Sequence, residues 1–208
     1  MALDPHAIAV RERFARILEC IDRFTWRHDL RCEEIGSPQR IAPYSYAIEV
    51  TLGPTNAELG SGRLVLLHDP AGVDAWQGTH RLVSLVRADT DLEMATDPLL
   101  GEVGWSWFTD ALDDHDAGYT APAGTVTVVS SRFFGDMNSE PDRAEVEIRT
   151  SWTPLVEEPG DIERHLKGWQ QLICQVAGLP PLPEGITPLG FRNGGSSLQQ
   201  LNNGSRHD

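Results

Sequence analysis

The sequence predicts an α+β domain built on one mainly antiparallel five-stranded sheet packed with helices, in the order α-β-β-β-α-β-β-α. Three observations lead there. Stretches of period-two hydrophobicity stand apart from stretches of helical periodicity, so strands and helices occupy separate parts of the chain. The loops between successive strands are too short for the crossover of about a dozen residues that a parallel neighbour requires. Finally, 208 residues with 40% apolar and 23% charged side chains suit one globular core without disulfides or metal. The domain is expected over residues 1–189, with residues 190–208 a Gly, Ser, Asn and Gln-rich tail whose composition predicts disorder.

The elements follow in order. Asp4 and Pro5 form an N-cap and first-turn pair, and Val10, Phe14, Ile17, Leu18 and Ile21 recur at helical spacing, giving a first helix that reaches Asp29. After a polar connector through Pro43, YSYAIEVTL alternates Tyr44, Tyr46, Ile48, Val50 and Leu52 against polar neighbours, which predicts a half-buried strand over 44–52. Short apolar runs predict strands over 63–68 and 79–87. Asp97 and Pro98 repeat the cap signal and open a helix whose inward stripe is read as Leu99, Leu100, Val103, Trp107, Ala111 and Leu112. Strands over 124–134 and 143–152 follow, the second placing Ala144, Val146, Ile148 and Trp152 inward. A last helix opens at Asp161, carries Ile162, Leu166, Trp169, Leu172, Ile173 and Val176, and closes at Gly178 and Pro180.

Charge is the strongest global signal. The balance of 17 cations against 31 acids gives −14, a field that repels phosphate backbones and anionic lipid, so neither nucleic acid nor membrane is an expected partner. The excess is local. Between Arg87 and Arg132 no Lys or Arg occurs, while Asp89, Asp91, Glu93, Asp97, Glu102, Asp110, Asp113, Asp114 and Asp116 fall in that interval. Cys20, Cys32 and Cys174 have no metal-ligand or redox spacing and read as reduced thiols. With no signal-peptide pattern and no spanning apolar run, the expected compartment is the cytoplasm.

Two candidate sites emerge. Trp105, Asp91, Glu93, Asp110, Asp113 and Asp114 make an acidic, tryptophan-containing surface for a protein partner that is basic or carries apolar patches. With Trp107 on the core stripe, Trp105 lies about 200° around the helix, where it either packs in a second layer or anchors a partner. The alternative site is His68, Asp69, Asp74 and His80, at the two ends of one strand connection, which could hold a ligand or serve a small metal-assisted or acid/base enzyme. Turn chemistry is the favoured reading of the same residues, because Asp69 and Pro70 fit the opening of a turn, Gly72 and Gly78 supply backbone freedom, and neutral histidines at strand ends usually cap or pack. The string Asp89, Asp91, Glu93 imitates the start of a calcium loop but has Met94 and Leu100 where glycine and the closing acid belong. Ser106 in GWSWF lacks the nucleophile elbow, and no cofactor fingerprint is present in the sequence, so no cofactor and no metal are expected.

The run LLHDPAGVDAWQGTHRLVSLVRADTDLEMATDPLLGEVGWSWFTDAL from Leu66, with YTAPAGTVT from Tyr119 and IRTSWTP from Ile148, resembles a family catalogued as domain of unknown function 3000. The resemblance implies an actinobacterial, cytoplasmic, single-domain protein and carries over no functional residue. The element order also looks like that of secretion-chaperone-type folds, which bind proteins rather than transform substrates. The expected function is a non-catalytic protein-binding or adaptor module, chaperone-like, with an acidic surface.

Overall fold

The computed structural model describes residues 5–53 and 59–179; the Asp4 cap and the predicted tail over 190–208 lie outside them. Six strands form one sheet in the order β1-β2-β3-β4-β6-β5 with every neighbouring pair antiparallel. They are β1 Leu30–Ile35, β2 Tyr44–Leu52, β3 Gly60–Val73, β4 Gly78–Thr90, β5 Tyr119–Ser131 and β6 Arg143–Pro154. The helices are α1 Pro5–Arg23, α2 Leu92–Ala95, α3 Leu100–Asp113 and α4 Ile162–Val176. The α+β class stands, with one strand more than expected.

The added strand, β1, has the sequence LRCEEI and no apolar alternation of its own. Its pairing makes it a strand, from Leu30 opposite Leu52 to Ile35 opposite Ala47. The first helix accordingly stops at Arg23 rather than Asp29, and the chain turns back so that Trp26 meets Trp169 edge-on at 5.9 Å. The strands expected over 63–68 and 79–87 are longer, because β3 and β4 continue past the His68–His80 pair through a register shift into a tight turn. The fifth strand is shifted to 119–131, since Arg81 donates to the Ala121 carbonyl at 2.8 Å and to the hydroxyls of Ser151 and Thr153, pinning a bulge between Thr120 and Ala123.

Helices cover one face of the sheet. On α1, Phe14, Ile17 and Ile21 point into the core; on α4, Leu166, Trp169 and Leu172 do the same. The core face of the sheet supplies Ile48, Val50, Leu64, Leu66, Leu82, Val86, Ile148 and Trp152, one residue in two as strand geometry requires. Both buried indoles find acceptors: Trp169 donates to Ser84 at 2.7 Å and Trp152 to His165 Nδ1 at 3.2 Å. The α3 stripe differs from expectation, being Leu100, Gly104, Phe108, Ala111 and Leu112, while Val103 is left 39% exposed. Glycines set this rotation. Gly168 of α4 lies so close to the Ala111 carbonyl that a Cβ would come within 2.7 Å of it, and Gly104 lets α3 settle against Val126 of β5.

Candidate functional site

His68 and His80 are brought together, as a directly opposed cross-strand pair whose rings stack 4.3 Å apart at 21°. Phe14 of α1 stacks on the other side of His68 at 5.6 Å. Both imidazoles are buried, and their surroundings hold them neutral: burial pushes His80 down to about 4, with help from His68 and Arg13, and pushes His68 down as well. His68 Nδ1 donates to the Thr79 carbonyl at 3.0 Å, and His80 Nδ1 meets the Thr79 hydroxyl at 3.1 Å. His80 Nε2 is buried without a hydrogen-bond partner among the described residues. Stacked rings keep their in-plane lone pairs in separate planes instead of aiming them from two sides at one ion. The carboxylates have separate duties, for Asp69 accepts the Ala71 amide at 3.0 Å in a turn and Asp74 opens a single exposed helical turn. No three His, Cys, Asp or Glu side chains converge as metal ligands among the described residues. The thiols are free, and Cys32 is pushed up to about 11 by burial with Asp22 and Glu33 beside it, so it is protonated near neutrality.

The acidic interval wraps around β5. Asp91 caps α2, its carboxylate accepting the Met94 amide at 2.7 Å, and Asp97 accepts the Leu99 amide at 2.8 Å, so two of the acids are needed for chain turning. Their positions are nonetheless exposed, as are Glu93, Glu102, Asp110, Asp113, Asp114 and Asp116. α2 and α3 both pack against β5. At one end of that strand Asp113 and Asp110 act on Tyr119, whose phenol is raised mainly by burial and further by these two charges. Near the other end Asp89 is opposite Glu145, which is itself opposite Val129 of β5. None of the nine acids between Arg87 and Arg132 forms an ion pair with a described residue.

Trp105 is half-buried: its ring lies 5.3 Å from Phe108 and covers Gly124 of β5, where a Cβ would be 3.0 Å from it. It is a flank of the core with one side accessible, between the two positions its spacing allows. The sequence reading missed a set of exposed apolar side chains along this part of the chain. Leu92, Met94, Leu99, Val103, Val129, Phe134 and Met137 are all exposed, with Phe134 at 79%. They make seven of the twelve exposed large hydrophobic residues among the described ones: four lie on α2, α3 and the link between them, Val129 lies on β5, and Phe134 and Met137 lie in the β5–β6 connection.

The uncovered face of the sheet is different. Its groove of about 530 Å³ is lined by Val65, Val83, Leu85, Ala123, Arg63 and Arg149 among others, with no His, Asp or Glu in the lining. The charges beside it neutralise one another: Arg63 pairs with Glu49 at 2.7 Å, and Glu147 takes Arg87 at 2.6 Å and Arg149 at 2.8 Å.

An antiparallel sheet clad on one face, with a buried histidine pair and an acid-framed edge, defines an α+β protein whose exposed chemistry lies on a surface. The chain belongs to a family of proteins of unknown function, DUF3000, whose model matches residues 10–187. No curated protein and no solved structure matches it. No described helix is long and apolar enough to cross a membrane.

Proposed function

We propose that this protein is a non-catalytic protein-binding module of adaptor or chaperone type, which uses the surface around α2, α3 and β5 to hold a basic partner with apolar side chains. One observation carries the reading: eight of the nine acids without ion-pair partners among the described residues share the stretch from Asp91 to Asp116 with the exposed apolar side chains Leu92, Met94, Leu99 and Val103. Unpaired surface charge steers an oppositely charged partner over a Debye length of about 8 Å, and clustered apolar side chains supply contact once it arrives. Asp110, Asp113 and Asp114 provide charge, and the accessible side of Trp105 provides an anchor.

The test is binding of a synthetic peptide of about ten residues alternating lysine and valine, long enough to span the surface. Affinity should fall about tenfold or more between about 50 and 300 mM salt. Neutralising Asp110, Asp113 and Asp114 together to Asn should weaken low-salt binding and flatten that salt dependence. An affinity indifferent to salt and to these substitutions overturns the reading.

A further inference from the structure

We infer that β5 is a strand-addition edge, which takes an extended basic segment of another protein as a seventh strand of the sheet; the inference rests on the protein-binding reading above. An edge strand presents a row of N–H and C=O groups to whatever lies beyond it, and proteins blunt such edges by shortening, charging or covering them. The two edges of this sheet are treated oppositely. β1 is six residues long, and Arg31, Glu33 and Glu34 put charge on half of them. β5 is thirteen residues long, and no Asp, Glu, Lys or Arg occurs anywhere from Ala117 to Ser131. Its stretch TVTVVSS is rich in β-branched residues, and its single proline, Pro122, sits in the bulge at the far end.

The outer side of β5 is unpaired. Among the described residues, no backbone-to-backbone hydrogen bond outside the sheet ladder involves any residue from Tyr119 to Ser131, and the Ala121 carbonyl in the bulge accepts from Arg81. Thr125, Thr127 and Val129 are exposed on one face of the strand, while Val126 and Val128 are half-buried on the other. An added strand would therefore lie beside side chains of β5 on both faces of the sheet.

Charge selects the occupant. Asp110 and Asp113 act at the Tyr119 end; in the cross-strand row of Val129, Glu145 is paired with Arg87 at 3.6 Å, while Asp89 forms no ion pair with a described residue, and Arg143 opposite Ser131 is paired with Glu140 at 3.4 Å. A second copy of this chain would bring two such acid-framed edges together, whereas a segment alternating lysine or arginine with apolar residues would satisfy both the charges and the backbone.

The lysine–valine peptide separates strand addition from charge attraction when made in two further forms, N-methylated at alternate residues along one edge or along the other. Methylating the edge that faces β5 removes several backbone hydrogen bonds, so that form should lose about tenfold or more in affinity while the other binds like the parent. Amide exchange in the full chain should slow over residues 124–131 when the peptide binds and stay unchanged over Leu30–Ile35. If both methylated forms bind as tightly as the parent, strand addition is wrong and the acidic-surface reading survives. If the parent does not bind at low salt, both fail. If the free chain is already a dimer with its β5 amides protected, the occupant is a second copy and the inference is overturned.

Discussion

The two edges of the sheet are made from the same backbone and end in opposite ways. β1 carries charge on both faces, and its Glu33 stands opposite Glu49, a like-charge pair whose second member is drawn off by Arg63 at 2.7 Å. β5 carries no charge, yet the interval from Asp89 to Asp116 just before it, which contains α2 and α3, carries nine acids and no Lys or Arg. The difference teaches that solubility at an edge can be supplied from outside the strand. Charge placed in a strand discourages every neighbour, while charge placed around it discourages like-charged neighbours and admits those of opposite sign.

Acid should act first on the core between the sheet and its helices, where the histidines are buried, and not at either edge. His80 on β4 and His165 beneath Trp152 of β6 are both pushed down to about 4, mainly by burial. A folded-state value below the ordinary one means the unfolded chain takes up protons that the folded chain refuses. Stability is therefore full above about pH 6.5 and is lost as pH falls toward 4. The loss should reach several kcal/mol, because delaying the protonation of one histidine by a single pH step is worth about 1.4 kcal/mol. Urea unfolding followed from pH 7 to 4 measures it. His165→Gln, which keeps an acceptor for the Trp152 indole, should flatten the dependence.

Next in size is Gly124→Ala. A Cβ there would stand 2.4 Å from the Arg149 carbonyl and 3.0 Å from the Trp105 ring, so the ladder between β5 and β6 must shift. A cost of about 3 kcal/mol, read from the denaturation midpoint, is expected. Trp105→Ala should cost about 2 kcal/mol, less than a fully buried tryptophan, because only one side of its ring packs. It should also weaken binding of the lysine–valine peptide. The smallest effect belongs to the β1 edge: Gly36→Ala, just past that strand, meets nothing within 4 Å and should stay within about 0.5 kcal/mol of the parent. Equal costs at Gly124 and Gly36 would remove the asymmetry between the edges.

Most of the fold was legible because its strands alternate and its helices carry stripes. YSYAIEVTL and RAEVEIRTSW announce their inward faces, and the inward residues of the first and last helices are where periodicity puts them. β1 was illegible because LRCEEI becomes a strand only by lying against β2, a tertiary fact with no local signature. The α3 stripe was misread by taking the large Trp107 as the inward residue, when Gly104 and Gly168 fix the rotation by allowing close approach. At the candidate sites, the sequence put His68 and His80 at the ends of one hairpin but could not show that their rings stack instead of converging. The acid run was plain in the sequence. That it surrounds an exposed apolar edge was not, although the absence of charge from Ala117 to Ser131 was the available clue.

The strand order has a consequence during synthesis. β6 lies between β4 and β5, so β5 leaves the ribosome before its sole neighbour in the sheet exists. At about 5–20 residues per second, a long, uncharged, β-branched segment then waits on the order of a second or more for β6 to follow. Nascent chains on one message are close together, and such a segment is the kind that nucleates aggregation. The nine acids are translated immediately ahead of it, so every emerging copy carries its own repulsive guard before the vulnerable strand appears. The same carboxylates thus serve twice, first against sister chains and later toward a partner of opposite charge.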